Sequence, residues 1–309
     1  MSFTSIVKNE ITKLELLYVE KISELSAIIL CEKNDDDKLK IVTENSSIAR
    51  LIFSLIKELY KITPVITLRN GYNYKKNTLY ILEVKNKKLE ILEDLGLIEN
   101  NKILDIPKEY IVDAEDSKRA YLRGVFLMTG SVNDPKKSRY HLEFLLNNKE
   151  YAEFINNLLN EYNLNSKVIK RENKYMVYIK EAEKIGDFLR IIQAYNAVLY
   201  YEDIRIYRDH KNMTNRLNNC EQANVDRIIE TSNSQIKDIE LIKDTVGLDL
   251  LDEKEKIVAE YRLKYKDASL LELSEIISIE TDKPITKSGL YHRFKKISEL
   301  AEKIQNNIK

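Results

Sequence analysis

A pattern of helix-like and strand-like runs occurs twice in this 309-residue chain at an offset near 100 residues, and no other feature restricts the fold as far. Leu55-Ile-Lys-Glu58 and Val65-Ile66 lie 103 positions before Leu158-Leu-Asn-Glu161 and Val168-Ile169. The runs Leu79–Val84 and Tyr175–Lys180, which alternate as half-buried strands do, are 96 apart. Each precedes a helical segment, Lys87–Leu95 in one half and Glu181–Ile192 in the other. Repetition at a fixed spacing signals duplication of a structural unit. Each half therefore reads helix, two strands, helix, two strands, helix, opening with Leu14–Cys31 and with Asp116–Thr129. Laying Leu25–Lys33 on Leu122–Gly130, at an offset of 97, brings Ala27 and Gly124 into register. Small residues at one position on two helices allow a close crossing. The same alignment sets Glu32 against Thr129.

Beyond the repeat the chain changes character. Arg205–Ala223 is polar and asparagine-rich, as a solvated linker would be, and Val225, Ile228, Ile229, Ile236, Ile239, Leu241 and Ile242 then outline one amphipathic helix or two short ones. Asp252 with Glu255, and Ser269 with Glu272, have capping-box spacing and predict two helix starts. The second helix, Ser269–Ile277, is expected to bury Leu270, Leu273, Ile276 and Ile277. Pro284, which has no amide donor, breaks the helical pattern after it. A third helix, from near Thr286 to about Lys303, presents Leu290, Phe294, Ile297 and Ala301 on one face. The expected organisation is a duplicated α+β domain over 1–210, with halves at about 1–100 and 110–205. A polar connector at 211–223 leads to an all-α domain over 224–309, with a helix-turn-helix at about 268–301.

Fifty basic and fifty acidic residues give a formal net charge of zero, so attraction to nucleic acid has to come from a local patch. The third helix supplies one. Five basic residues and no acidic one lie between Lys283 and Lys296. The candidate DNA contacts are Lys287, Ser288, Tyr291, His292, Arg293, Lys295 and Lys296, groups able to reach phosphates or base edges. A helix-turn-helix sets the N-terminal residues of such a helix nearest the bases. The competing reading is a solvated basic face on a small bundle. Ser278–Ile285 is longer than the three- or four-residue turn of a tight helix-turn-helix.

Other chemistries find little material. Cys31 and Cys220 are far apart, and His141, His210 and His292 are dispersed, so no metal set is expected. Seven glycines form no phosphate loop, and no nucleophile-elbow or zincin spacing occurs; no cofactor and no catalytic residue are expected. His141, on the alternating run Tyr140–Phe144, reads as a structural histidine, and Asp35-Asp36-Asp37 as a solvated turn. The N-terminal residues lack a signal-peptide pattern and no apolar run approaches a membrane span of about 20 residues, so a reduced, cytoplasmic setting is expected.

Three blocks, in order, carry a resemblance along nearly the whole chain. Leu122-Arg-Gly-Val-Phe-Leu-Met-Thr-Gly130 fits the small and apolar positions of a LAGLIDADG helix, and Tyr121-Leu-Arg-Gly is followed by Gly130-Ser-Val-Asn-Asp-Pro135 and Tyr140-His-Leu-Glu143. Asn215-Arg-Leu-Asn-Asn-Cys-Glu-Gln-Ala-Asn224 and Lys287-Ser-Gly-Leu-Tyr-His-Arg293 complete the set. The chain resembles the WhiA family of bacterial regulators. The resemblance implies a degenerate LAGLIDADG homing-endonuclease-like domain joined to a C-terminal helix-turn-helix, with double-stranded DNA as partner. It also implies a role in sporulation, cell division or chromosome segregation at the nucleoid. In some relatives a WhiB-type iron–sulfur protein is a partner. Thr129 stands where the endonucleases place a metal-binding carboxylate, which leaves Glu32 without a counterpart, and Asn133 and Asp134 read as turn residues. DNA binding without cleavage is the expectation. The alternative makes the N-terminal domain a protein-interaction or ligand-sensing platform, with DNA contact confined to the C-terminal domain. Because the Asn215–Asn224 block is a family signature, a capping role for the connector stands beside the linker reading.

Overall fold

The computed structural model describes residues 2–32, 38–70, 78–137 and 139–308; the Asp35–Asp37 run falls outside them. The chain divides into two compact units, Met1–Arg208 and Asp209–Lys309.

In the first unit the second repeat has the expected order: α5 (Glu115–Thr129), β6 (Gly130–Val132), β7 (Leu142–Leu146), α6 (Lys149–Glu161), β8 (Lys167–Arg171), β9 (Lys174–Ile179) and α7 (Ala182–Ile191). Its sheet runs β6-β7-β9-β8, antiparallel throughout. The first repeat comprises α2 (Tyr18–Leu30), β1 (Leu39–Thr43), α3 (Ser46–Tyr60), β2 (Val65–Asn70), β3 (Thr78–Val84) and α4 (Lys88–Asp94), with the sheet order β1-β3-β2. Among the described residues one strand, where two were expected, separates its first two helices. The opening helix also differs from expectation. It begins at Tyr18, and a separate α1 (Phe3–Ile11) precedes it, N-capped by Ser2, whose side chain accepts from the Ser5 amide. α1 is specific to the first half, and its Thr4 hydroxyl donates to the Val132 carbonyl and accepts from the Val132 amide at the edge of β6.

Strand registers refine the repeat. Leu39 pairs with Val84 and Leu142 with Ile179, so β1 matches β7 at an offset of 103 while β3 matches β9 at 95, one less than the sequence alignment of those strands. The buried residues agree: Ile81, Leu82 and Val84 correspond to Met176, Val177 and Ile179. A one-residue slip would turn each strand's apolar set to the opposite face.

α2 and α5 cross at the centre of the unit. A Cβ on Gly124 would lie 2.5 Å from the Glu24 carbonyl oxygen and 2.8 Å from the Ala27 Cβ, so only glycine fits there. The crossing also buries charge. Arg123, fully buried, donates from Nε to Glu24 at 2.7 Å, from Nη2 to Glu20 at 3.4 Å and from Nη1 to Gln193 at 3.1 Å. Burial holds the Glu24 carboxyl above its ordinary pKa while Arg123 draws it down. Such a pair is costly to break from one side, because the survivor is left charged in low dielectric.

α8 (Tyr195–Thr245) is one continuous helix whose first turns belong to the first unit and whose remainder belongs to the second. The polar stretch 211–223 is helical and exposed throughout. The second unit adds α9 (Glu253–Lys264), α10 (Leu270–Thr281) and α11 (Lys287–Ile308). Its own core gathers Ile239 and Ile242 of α8, Val258 and Ala259 of α9, Leu273 and Ile277 of α10, and the expected face of α11: Leu290, Phe294, Ile297 and Ala301. Val225 and Ile229, expected to face a core, are exposed.

Candidate nucleic-acid interface

α10 and α11 are the two helices read from the sequence as a helix-turn-helix. Ser269 and Glu272 close the capping box expected of them: the Glu272 amide donates to the Ser269 hydroxyl at 3.3 Å, and the Ser269 amide to the Glu272 carboxylate at 2.8 Å. α10 runs one turn beyond Ile277, to Thr281, so the connection is the five residues 282–286 rather than the longer stretch read from sequence. Asp282 ends α10 in a left-handed conformation. The Ser278 hydroxyl then accepts the Ile285 amide at 2.9 Å and pins the turn, and Thr286 accepts the Gly289 amide at 3.1 Å as α11 begins. α11 extends to Ile308, five residues beyond expectation.

The second expected capping box does not form. Asp252 is the N-cap of α9 but makes no side-chain cap, and its carbonyl accepts the Glu255 and Lys256 amides. The Glu255 carboxylate is engaged elsewhere, 3.3 Å from Lys296 on α11.

On α11, Lys287, Ser288, Tyr291, His292, Lys295 and Lys296 are exposed and Arg293 is half-buried. Lys287, Ser288, Tyr291, His292 and Lys295 line one solvent-facing side, as i, i+1, i+4, i+5 and i+8 positions do. Tyr291 and His292 form an edge contact, ring centroids 5.8 Å apart. Lys295 has a loose ion pair with Glu299 at 3.9 Å, whereas Lys296 leans toward α9. Such a face offers exposed cations, a hydroxyl, an imidazole and a phenol, with its first turn at the positive end of a helix dipole, where phosphates are favoured.

One residue that holds this surface was missed in the sequence. Arg262, almost fully buried, donates to the Ala268 carbonyl at 2.6 Å and lies over the Phe294 ring at 5.4 Å, tying the α9–α10 loop to α11. Its only sequence signal is an arginine on the apolar side of a helix.

At the other end of the chain, Glu32 and Thr129 face the same two clefts at the C-terminal ends of α2 and α5, of about 930 and 570 Å³. The alignment that paired them is thus geometrically sound. Thr129 donates to its own helix at the Val125 carbonyl, 3.0 Å away. Glu32 is held above the usual carboxylate range by burial, partly offset by a backbone hydrogen bond at Val42 and by Lys40. Lys8 of α1, also missed in the sequence, enters the larger cleft and lies 5.6 Å from the centre of the Phe126 ring; burial pushes its ammonium down to about 8. Cys31 beside it is pushed up by burial to about 12. Among the described residues no three His, Cys, Asp or Glu side chains converge as metal ligands. Asn133 and Asp134 act within their turn: Asn133 donates to the Arg139 carbonyl and Asp134 accepts the Lys136 amide. His141 lies just before β7 with Nε2 3.1 Å from Glu143. No helix among the described residues is long and apolar enough to cross a membrane.

Comparison with known proteins gives three consecutive matches. The family description WhiA N-terminal LAGLIDADG-like domain covers residues 20–98, WhiA LAGLIDADG-like domain covers 118–211, and WhiA C-terminal HTH domain covers 214–301. A probable cell division protein WhiA from Bacillus cytotoxicus is 44% identical over 312 residues, spanning 99% of this chain and 98% of that protein. One from Staphylococcus epidermidis is 41% identical, with the same coverage. The crystal structure of full-length DUF199/WhiA from Thermatoga maritima aligns over 98% of this chain and 99% of that one, with a TM-score of 0.58 at 26% identity.

Proposed function

The chain belongs to the WhiA family, and from that premise we propose that it is a sequence-specific DNA-binding regulator acting in cell division, with no nuclease activity. The observation that carries the reading is the exposed cationic face of α11, mounted on a capped and pinned helix-turn-helix. The names of the curated relatives support the cell-division role.

In this reading Lys287, Arg293, Lys295 and Lys296 meet phosphates, while Ser288, Tyr291 and His292 address base edges from the first turns of the helix. With zero net charge overall, binding depends on this local field and weakens steeply with salt. At the C-terminal ends of the two central helices the described residues offer one carboxylate, Glu32, and one threonine, Thr129, in place of the paired acids that hold metals against both the attacking and the leaving oxygen.

The test is a Lys287/Arg293/Lys295/Lys296 quadruple alanine variant of the full chain. Circular dichroism should show it folded, and duplex binding should fall to the level of a non-specific control. Retained wild-type binding would remove α11 as the DNA reader.

A further inference from the structure

The segment of α8 that carries the Asn215–Asn224 block is unusual in what it spends its surface on. From His210 to Arg227 every residue is exposed, a solvent-facing stretch of about 27 Å at 1.5 Å per residue. Five asparagines lie between positions 212 and 224. Asparagine is among the weaker helix formers, and an exposed helix gains no packing to offset it. Lysine or glutamate would keep the segment solvated at lower conformational cost, so the carboxamides call for a binding partner rather than solubility as their explanation.

Their placement narrows the partner. Lys211, Asn215, Asn218 and Gln222 follow a four-three-four spacing and form a single stripe. Asn215 and Asn218 make no side-chain hydrogen bond among the described residues, and Gln222 uses only its amide nitrogen, toward Asp226 at 2.9 Å. Lys211 and Arg216 make no ion pair among the described residues, and no acidic residue lies from 210 to 220. Paired donor and acceptor groups flanked by free cations match the base edges and phosphates of a duplex, where asparagine and glutamine bind adenine bidentately. The same helix continues into the core that supports α11 through Ile239 and Ile242.

We propose that this exposed part of α8 is a second DNA-contacting element, its Asn215–Asn218–Gln222 stripe lying in a groove of double-stranded DNA while Lys211 and Arg216 meet the backbone. The inference rests on the DNA-binding reading of α11.

The test uses the full chain and a duplex selected by it from a random-sequence library, with a scrambled duplex as control. Alanine is the strongest helix former, so Asn215→Ala/Asn218→Ala/Gln222→Ala should keep α8 folded and show undiminished helical circular dichroism. Affinity for the selected duplex should fall about tenfold or more, and for the scrambled one much less. Lys211→Ala/Arg216→Ala should reduce the logarithmic salt slope by about two. Wild-type binding by the triple variant, alongside lost binding in Ser288→Ala/His292→Ala, would overturn the second element and leave α11 as the reader. Wild-type binding by both would overturn the second element together with the reading beneath it. A triple variant that changes sedimentation but not DNA affinity would make the stripe a protein interface and defeat the proposal.

Discussion

Gly124 is the residue on which the central crossing turns. A side chain there meets a main-chain carbonyl, which cannot rotate aside, so Gly124→Leu should destabilise by at least the 1–3 kcal/mol typical of overpacking, about 2–12 °C in melting temperature by differential scanning calorimetry. Thr129→Ser keeps the hydroxyl that returns to Val125 and should leave the melting temperature nearly unchanged. Lys8 makes an opposite case. Below about pH 8 the folded chain carries a half-buried charge; between about 8 and 10.5 the unfolded chain holds that proton more tightly, so this group favours folding more as pH rises. Lys8→Met should accordingly be more stable than the parent at pH 7 in urea titrations, with the gap closing by pH 10. The Ala27–Gly124 match was legible because glycine is rare in this chain and falls inside an apolar run. Lys8 was not, because nothing local distinguishes a lysine that enters a cleft from one in water.

At the scale of the element, α11 was readable almost in full, since an apolar face at helical spacing and a run of bases survive any tertiary context. Its length was not, because no glycine or proline marks its end. The two capping boxes show the limit of local pattern. Ser269 and Glu272 have no competing partner among the described residues and close, whereas Glu255 is drawn to Lys296, a residue 41 positions away. Ser269→Ala should therefore cost about 1 kcal/mol of thermal stability, and Asp252→Ala distinctly less. The same contact separates two lysines that sequence places together. Lys295→Ala should lower the magnitude of the salt slope of DNA binding by about one, measured by fluorescence anisotropy across a salt series, while Lys296→Ala should lower it by less.

For the whole molecule, purified protein with magnesium or manganese should leave supercoiled plasmid intact, and metal-dependent nicking that vanishes in Glu32→Gln would refute the non-nuclease reading. The repeat and the two-unit division are legible in the sequence because they are periodic or compositional, but the continuity of α8 is not. Its polar middle has the composition of a linker, and residues exposed on every side leave no apolar periodicity to reveal a helix. The first unit also has a property in time. Arg123 lies 99 residues after Glu24 and 103 after Glu20, so the carboxylates on α2 have no guanidinium to meet until the second repeat has been synthesised. Contacts so far apart in the chain slow folding, since the intervening loop must close before they form. On the ribosome the first repeat is thus committed to waiting: its central helix has an apolar face without a cover and two acids without a counter-charge. The nascent chain is most exposed to misassociation during the interval in which Ser2 to Asp113 have emerged and α5 has not.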